Sequence, residues 1–222
     1  MMTPAREEAW EWLCQYNESE SLRKHALTVE GVMRHFAALA GEDPEEWGIV
    51  GLLHDLDYER WPDQHCQKVQ ELLREKGADE ALIRAVASHG YGMCSDIQPQ
   101  SRLEKTLFTI DELSGLITAA AMMRPSRSVI DLEVKSVKKK FKDKRFAAGV
   151  DREVIIQGAQ RLGMELDDVI AETIQGMREV AEAISLEMHQ RVFPKKTVEF
   201  PAETVYNSRD RSFPSGRSLE RG

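Results

Sequence analysis

Between residues 21 and 40 the apolar side chains fall at Leu22, Ala26, Val29, Met33, Phe36 and Ala40. Steps of four and three put them on one face of a helix. Almost every readable segment repeats this period. Asp43 supplies an N-cap and Pro44 a first helical position. The helix they open runs through Ile49, Val50, Leu52 and Leu53 to His54. Its apolar residues point in several directions, which predicts a central, buried helix. A short helix follows with Val69, Leu72 and Leu73, ending near Gly77. Another begins near Asp79 and carries Leu82, Val86 and His89. A long one holds Leu103, Leu107, Ile110, Ile117 and Ala121 and stops before Pro125. A lysine-rich stretch spans 134–146, a helix about 151–162, and a last helix begins near Leu166. The stripe of that last helix continues through Ile170, Thr173, Met177, Val180, Ile184 and Met188. No period-two run exceeds a few residues, so the fold class is all-α.

The length of 222 residues suits one all-α domain over 1–190. Its motif-bearing core spans about 20–125 and a helical extension about 126–190. Residues 191–222 are rich in proline, serine and charge and read as an irregular tail. The formal net charge of -8 argues against a general nucleic-acid-binding surface. Cys14, Cys66 and Cys94 are odd in number and form no CxxC pair, so the expectation is reduced thiols without a disulfide framework or cysteine zinc site. The start, MMTPAREEAWEWL, is acidic where a signal peptide would be basic. No apolar run nears the roughly 18 residues of a membrane span. A cytoplasmic, non-membrane protein is expected. The stripe after Leu166 is either intrachain core or a dimer seam, and a single such helix favours the intrachain reading. Oligomeric state is otherwise open.

The chemistry-bearing residues gather on the apolar sides of these helices. His25 lies beside the first stripe, His54 and Asp55 end the buried helix, and His65 follows ten residues later, at the start of the next helix. His89 is seven residues after Leu82, and Asp111 is four after Leu107 in a strongly apolar helix. One histidine on an apolar face is most often a hydrogen-bonded core residue. One aspartate in mid-helix is most often solvated. Six such groups on several helices are different, because converging carboxylates repel unless a cation lies among them.

The order His25, His54-Asp55, Asp111 resembles the H…HD…D signature of the HD superfamily of metal-dependent phosphohydrolases, over roughly residues 20–125. The resemblance implies an HD-domain helical bundle in which His25, His54, Asp55 and Asp111 hold one divalent metal. A subset of the superfamily has two further histidines between the doublet and the last aspartate, and His65 and His89 fit that H…HD…H…H…D pattern. Such members hold two metals bridged by the doublet aspartate, here Asp55. They include HD-GYP cyclic-dinucleotide phosphodiesterases and mixed-valent di-iron oxygenases such as myo-inositol oxygenase. This chain has HDLDY where HD-GYP proteins extend the doublet with Gly-Lys, and HGYG at 89–92 is not a GYP motif.

The implied donors are all nitrogen or oxygen, which suits Mn, Fe, Co, Ni or Zn and permits Mg. One or two divalent ions are expected. A divalent ion lowers the pKa of bound water from about 15.7 toward about 7, and two ions roughly 3.5–4 Å apart clamp attacking and leaving oxygens. Asp57 and Glu59 follow the doublet. One of them would steer the water or protonate the leaving group; alternatively both solvate a loop or cap a neighbouring element. In VKSVKKKFKDKRF, Val134, Val137 and Phe141 sit at helical spacing among lysines. The run is either a solvated face or a rim offering Lys138, Lys139 or Lys142 to substrate phosphate. The functional expectation is a metal-dependent hydrolase of a small phosphorylated molecule, whether phosphomonoester, nucleotide or phosphodiester. A di-iron oxygenase on the same ligands and a non-catalytic metal-containing binding module are the alternatives.

Overall fold

Helices α2 (Glu20–Ala40) and α6 (Arg102–Met122) are the two long axes around which the other elements pack. The computed structural model describes residues 3–181. Within them the remaining helices are α1 (Arg6–Tyr16), α3 (Pro44–Leu53), α4 (Lys68–Glu75), α5 (Glu80–Ser88), α7 (Val134–Lys142), α8 (Arg152–Leu162) and α9 (Leu166–Glu179). No strand occurs among the described residues, so the all-α expectation holds. Helix α2 packs on α3, α6 and α9, while α6 also packs on α5, α7 and α8. Apolar side chains from α1 through α9 join in one core. No helix among the described residues is long and apolar enough to cross a membrane.

Local chemistry explains most boundaries. The Asp43 carboxylate accepts from Glu45 N at 2.9 Å, with Pro44 in the first turn. Asp79 accepts from Leu82 N at 2.8 Å. Ser101 and Glu104 form a capping box that opens α6. Every residue of α3 from Trp47 to Leu53 is buried, as expected of a helix apolar on several sides.

Several features depart from the periodic reading. Helix α1 was not expected; it buries Ala9, Trp12 and Leu13 and packs on α3. Glu30 is buried on α2, where periodicity offered no polar partner. It accepts a fork from Arg6 of α1 at 2.8 and 2.9 Å and further bonds from Arg34. His65 lies in a turn just after a 3-10 segment (Pro62–Gln64), ahead of α4 rather than within it. Helix α9 buries Ile170, Thr173 and Met177 and packs on α2, so its stripe is intrachain core. His35 of α2 fastens it, lying 2.8 Å from Glu172 and 3.0 Å from Glu179. Ile184, Met188 and the tail at 191–222 fall outside the described residues.

The contact of α6 with α8 is set by a glycine. A Cβ at Gly158 would lie 2.9 Å from the Cα and 2.7 Å from the Cβ of Thr109, and would clash with its hydroxyl oxygen. Alanine gains roughly 1 kcal/mol of helix propensity, but overpacking costs about 1–3 kcal/mol and here meets backbone, which cannot swing aside. Because the clash is with backbone, the cost should fall toward the upper end of that range, and Gly158→Ala is expected to lose up to about 2 kcal/mol net in urea unfolding. No loss would show that α8 can slide on α6.

Candidate metal centre

Helices α3 and α5 end in the same way. Each C-cap is a histidine in right-handed helical conformation, His54 and His89. Carbonyls of a last turn lack helical partners. The His54 Nδ1–H donates to Gly51 O at 2.8 Å, and the His89 Nδ1–H donates to Val86 O at 2.6 Å. A carbonyl can only accept, so each ring carries its proton on Nδ1 and turns Nε2 away from the helix end. His65 reaches the same state through a side chain: its Nδ1–H donates to Asp57 Oδ1 at 2.7 Å. The other Asp57 oxygen accepts from Val69 N at 2.8 Å, in the first turn of α4.

The inward-facing atoms form two groups that share one carboxylate. In the first, His25 Nε2 lies 3.2 Å from His54 Nε2 and 3.0 Å from Asp111 Oδ1. Asp55 Oδ2 closes it at 3.3 Å from His54 Nε2 and 3.8 Å from His25 Nε2. In the second, His65 Nε2 and His89 Nε2 stand 3.2 Å apart. Asp55 Oδ1 lies 3.3 Å from the former and 3.5 Å from the latter. All six residues are buried, and His25 is the most exposed at 8%.

Electrostatics require positive charge here. Burial opposes a charge on His54, yet the carboxylates of Asp55 and Asp111 outweigh it and raise its pKa well above the ordinary histidine range. Burial likewise opposes the charges on Asp55 and Asp111, yet His54 and the neighbouring histidines hold both well below the usual carboxylate range. The second group makes the same demand by geometry, since two ring lone pairs and a carboxylate oxygen converge with the ring protons turned outward. Two helix C-termini, each with partial negative charge, add to it.

A pH dependence follows for the metal-free chain. His54 is raised, so its contribution is present below about pH 6.5 and is lost as pH rises through the folded value. Asp55 and Asp111 are depressed, so theirs is present above the ordinary carboxylate range and is lost as pH falls through the folded values. Thermal unfolding in chelator is expected to peak between these limits. A divalent ion held by the His54 ring would take the place of its Nε2 proton, so adding one should flatten the alkaline fall. Equal alkaline slopes with and without metal would count against this.

The residues fit a divalent ion. Imidazole and carboxylate are common ligands, and each of three rings is already oriented by an outer hydrogen bond. His25, His54 and Asp55 form one set with mutually close donor atoms; His65, Cys66 and His89 form another. Cys66 is the residue missed from sequence, because a lone thiol without CxxC spacing carries no local signal.

The two carboxylates that follow the doublet are both engaged by neighbouring segments. Asp57 does not face the space between the rings, because both its oxygens are committed to His65 and Val69. That placement suits a residue that positions His65. Glu59 is exposed and accepts from Glu18 N at 2.7 Å and Ser19 N at 3.1 Å, capping the start of α2. That geometry is the one the capping alternative describes. The lysine run forms α7, with Val137 buried and Phe141 packed on the core. Lys138 is paired with Asp167 of α9 at 2.5 Å. Lys139 and Lys142 are exposed.

The family model of the HD domain matches residues 22–116, a span that contains all six converging residues. No curated protein and no solved structure gives a significant match to the chain.

Proposed function

We propose, from the premise that residues 22–116 form an HD domain, that this protein is a metal-dependent phosphohydrolase acting on a small phosphorylated molecule. The observation that carries the reading is the division of Asp55, with one oxygen beside His25 and His54 and the other beside His65 and His89. A carboxylate so placed would offer one oxygen to each of two cations. His25, His54, Asp55 and Asp111 would hold one ion, and His65, His89 and Asp55 a second. Mn, Co, Ni, Zn and Fe all suit these donors. Bound there, a divalent ion supplies a Lewis acid for phosphoryl oxygen and a water acidic enough to act as nucleophile near pH 7.

The chain's own residues supply orientation. Gly51 O, Val86 O and Asp57 lock three imidazoles with Nε2 inward. The Tyr58 ring stands edge-on to His65, with centroids 5.2 Å apart, and limits tilting of that ring. Burial of all six residues sets the cluster apart from bulk water. Lys139 and Lys142 supply exposed positive charge that would draw an anionic substrate toward an acidic protein.

Metal analysis of the purified chain beside a His65→Ala/His89→Ala variant tests this. The expected result is about two ions per chain, falling to about one in the variant, with phosphoester hydrolysis lost. Unchanged stoichiometry would leave a mononuclear site on His25, His54, Asp55 and Asp111. Iron with a mixed-valent EPR signal and no phosphoester turnover would replace this reading with the oxygenase.

A further inference from the structure

Two thiols stand at the second donor group, where Cys66 shares a set of close donor atoms with His65 and His89. Cys66 follows His65, and Cys94 closes a turn that begins at Gly90, next to His89. Their sulfurs are 2.7 Å apart, and Cys66 Sγ is 3.8 Å from His89 Nε2. Three features create this approach. Cys66 sits at φ 65°, a left-handed conformation uncommon for a residue with a side chain. The turn is held by Cys94 N and Ser95 N, which both donate to Gly90 O at 2.9 and 3.0 Å. Gly90 itself leaves the space, since a Cβ there would collide with both sulfurs. The two thiols are thus presented to each other from segments 28 positions apart in sequence.

We propose that Cys66 and Cys94 are a redox pair that forms a reversible disulfide on reaction with hydrogen peroxide. Cys94 is the entry point, being 9% exposed while Cys66 is fully buried. Its sulfur attacks one peroxide oxygen, the O–O bond breaks, a water leaves, and Cys94 becomes a sulfenic acid. The Cys66 sulfur then attacks that sulfur and displaces a second water. Two thiols are oxidised, one peroxide is reduced to two waters, and a thiol reductant reverses the product. The bond encloses α4 and α5 and joins the residue after His65 to the turn after His89, bracing the second donor group. Transient disulfides of this kind occur in reducing compartments where structural ones do not.

The test treats the full-length chain with hydrogen peroxide in the presence of chelator, then alkylates and maps peptides without reduction. A Cys66–Cys94 linked peptide that dithiothreitol removes is expected, while Cys14 remains outside the link. The linked form should also unfold at higher temperature than the reduced form, because the bond restricts the unfolded chain. In Cys66→Ser the Cys94 sulfenic acid should persist and be trapped by dimedone. Cys66 and Cys94 both remaining alkylatable, or a link that includes Cys14, would overturn the proposal. The peptide map reads the bond whether or not metal binds, so its failure is separate from failure of the metal reading.

Discussion

Asp55→Asn is expected to strip metal from both donor groups at once and to abolish phosphoester hydrolysis. The carboxylate offers one oxygen to each group, 3.3 Å from His54 Nε2 on one side and 3.3 Å from His65 Nε2 on the other. An amide keeps the shape but has one acceptor. Its NH₂ would donate to a ring lone pair and satisfy it without metal. Loss of an outer hydrogen bond to a metal ligand typically costs 10- to 100-fold in affinity, so roughly that figure is a lower bound for losing a shared ligand. The fold should survive, because neutralising one member of a buried charge cluster that keeps Asp111 beside His54 leaves no bare cation. Metal content by mass spectrometry and the far-ultraviolet circular dichroism spectrum decide the matter. Full retention of both ions would remove Asp55 from the shared position.

Asp57→Ala should separate the two groups. The carboxylate is fully buried and divided between the His65 ring and Val69 N. Without it two buried donors lose their acceptor, at about 1–3 kcal/mol each. His65 also loses the bond that fixes its tautomer. Affinity at the His65–His89 group is expected to fall roughly 10- to 100-fold, while the His25–His54–Asp111 group keeps its ion. Titration calorimetry would show one weakened site and one unchanged. If Asp57 were instead a general acid, metal binding would be untouched and only turnover would fall. Asp57→Asn should recover part of the affinity, since its carbonyl oxygen can still accept from one of the two donors.

Much of this centre is legible in the amino-acid order. Period 3.6 places His25, His89 and Asp111 beside apolar stripes. The caps at Asp43 and Asp79 fix where α3 and α5 begin. Their ends bring His54 and His89 to positions where each ring can turn back onto an i−3 carbonyl. These are properties of single helices, decided within one or two turns of chain.

The roles of Asp57 and Glu59 were not legible, although both sit within four residues of the doublet. Their oxygens find partners at Val69 and at Glu18 and Ser19, whose approach depends on how the loop folds back over α2 and α4. Helix α1 and the buried Glu30 depend in the same way on Arg6 crossing to α2. The sulfurs of Cys66 and Cys94 meet only because Gly90 leaves room between two separate segments.

By itself, then, the sequence determined the helices after α1, most of their ends and the six residues that face inward, because periodicity and capping are local. Tertiary structure alone decided that His25 and Asp111, 86 positions apart, would lie 3.0 Å from one another and that Asp55 would give an oxygen to each group. The physical reason is that such separations follow from how helices cross and pack, which the summed burial of the whole core sets.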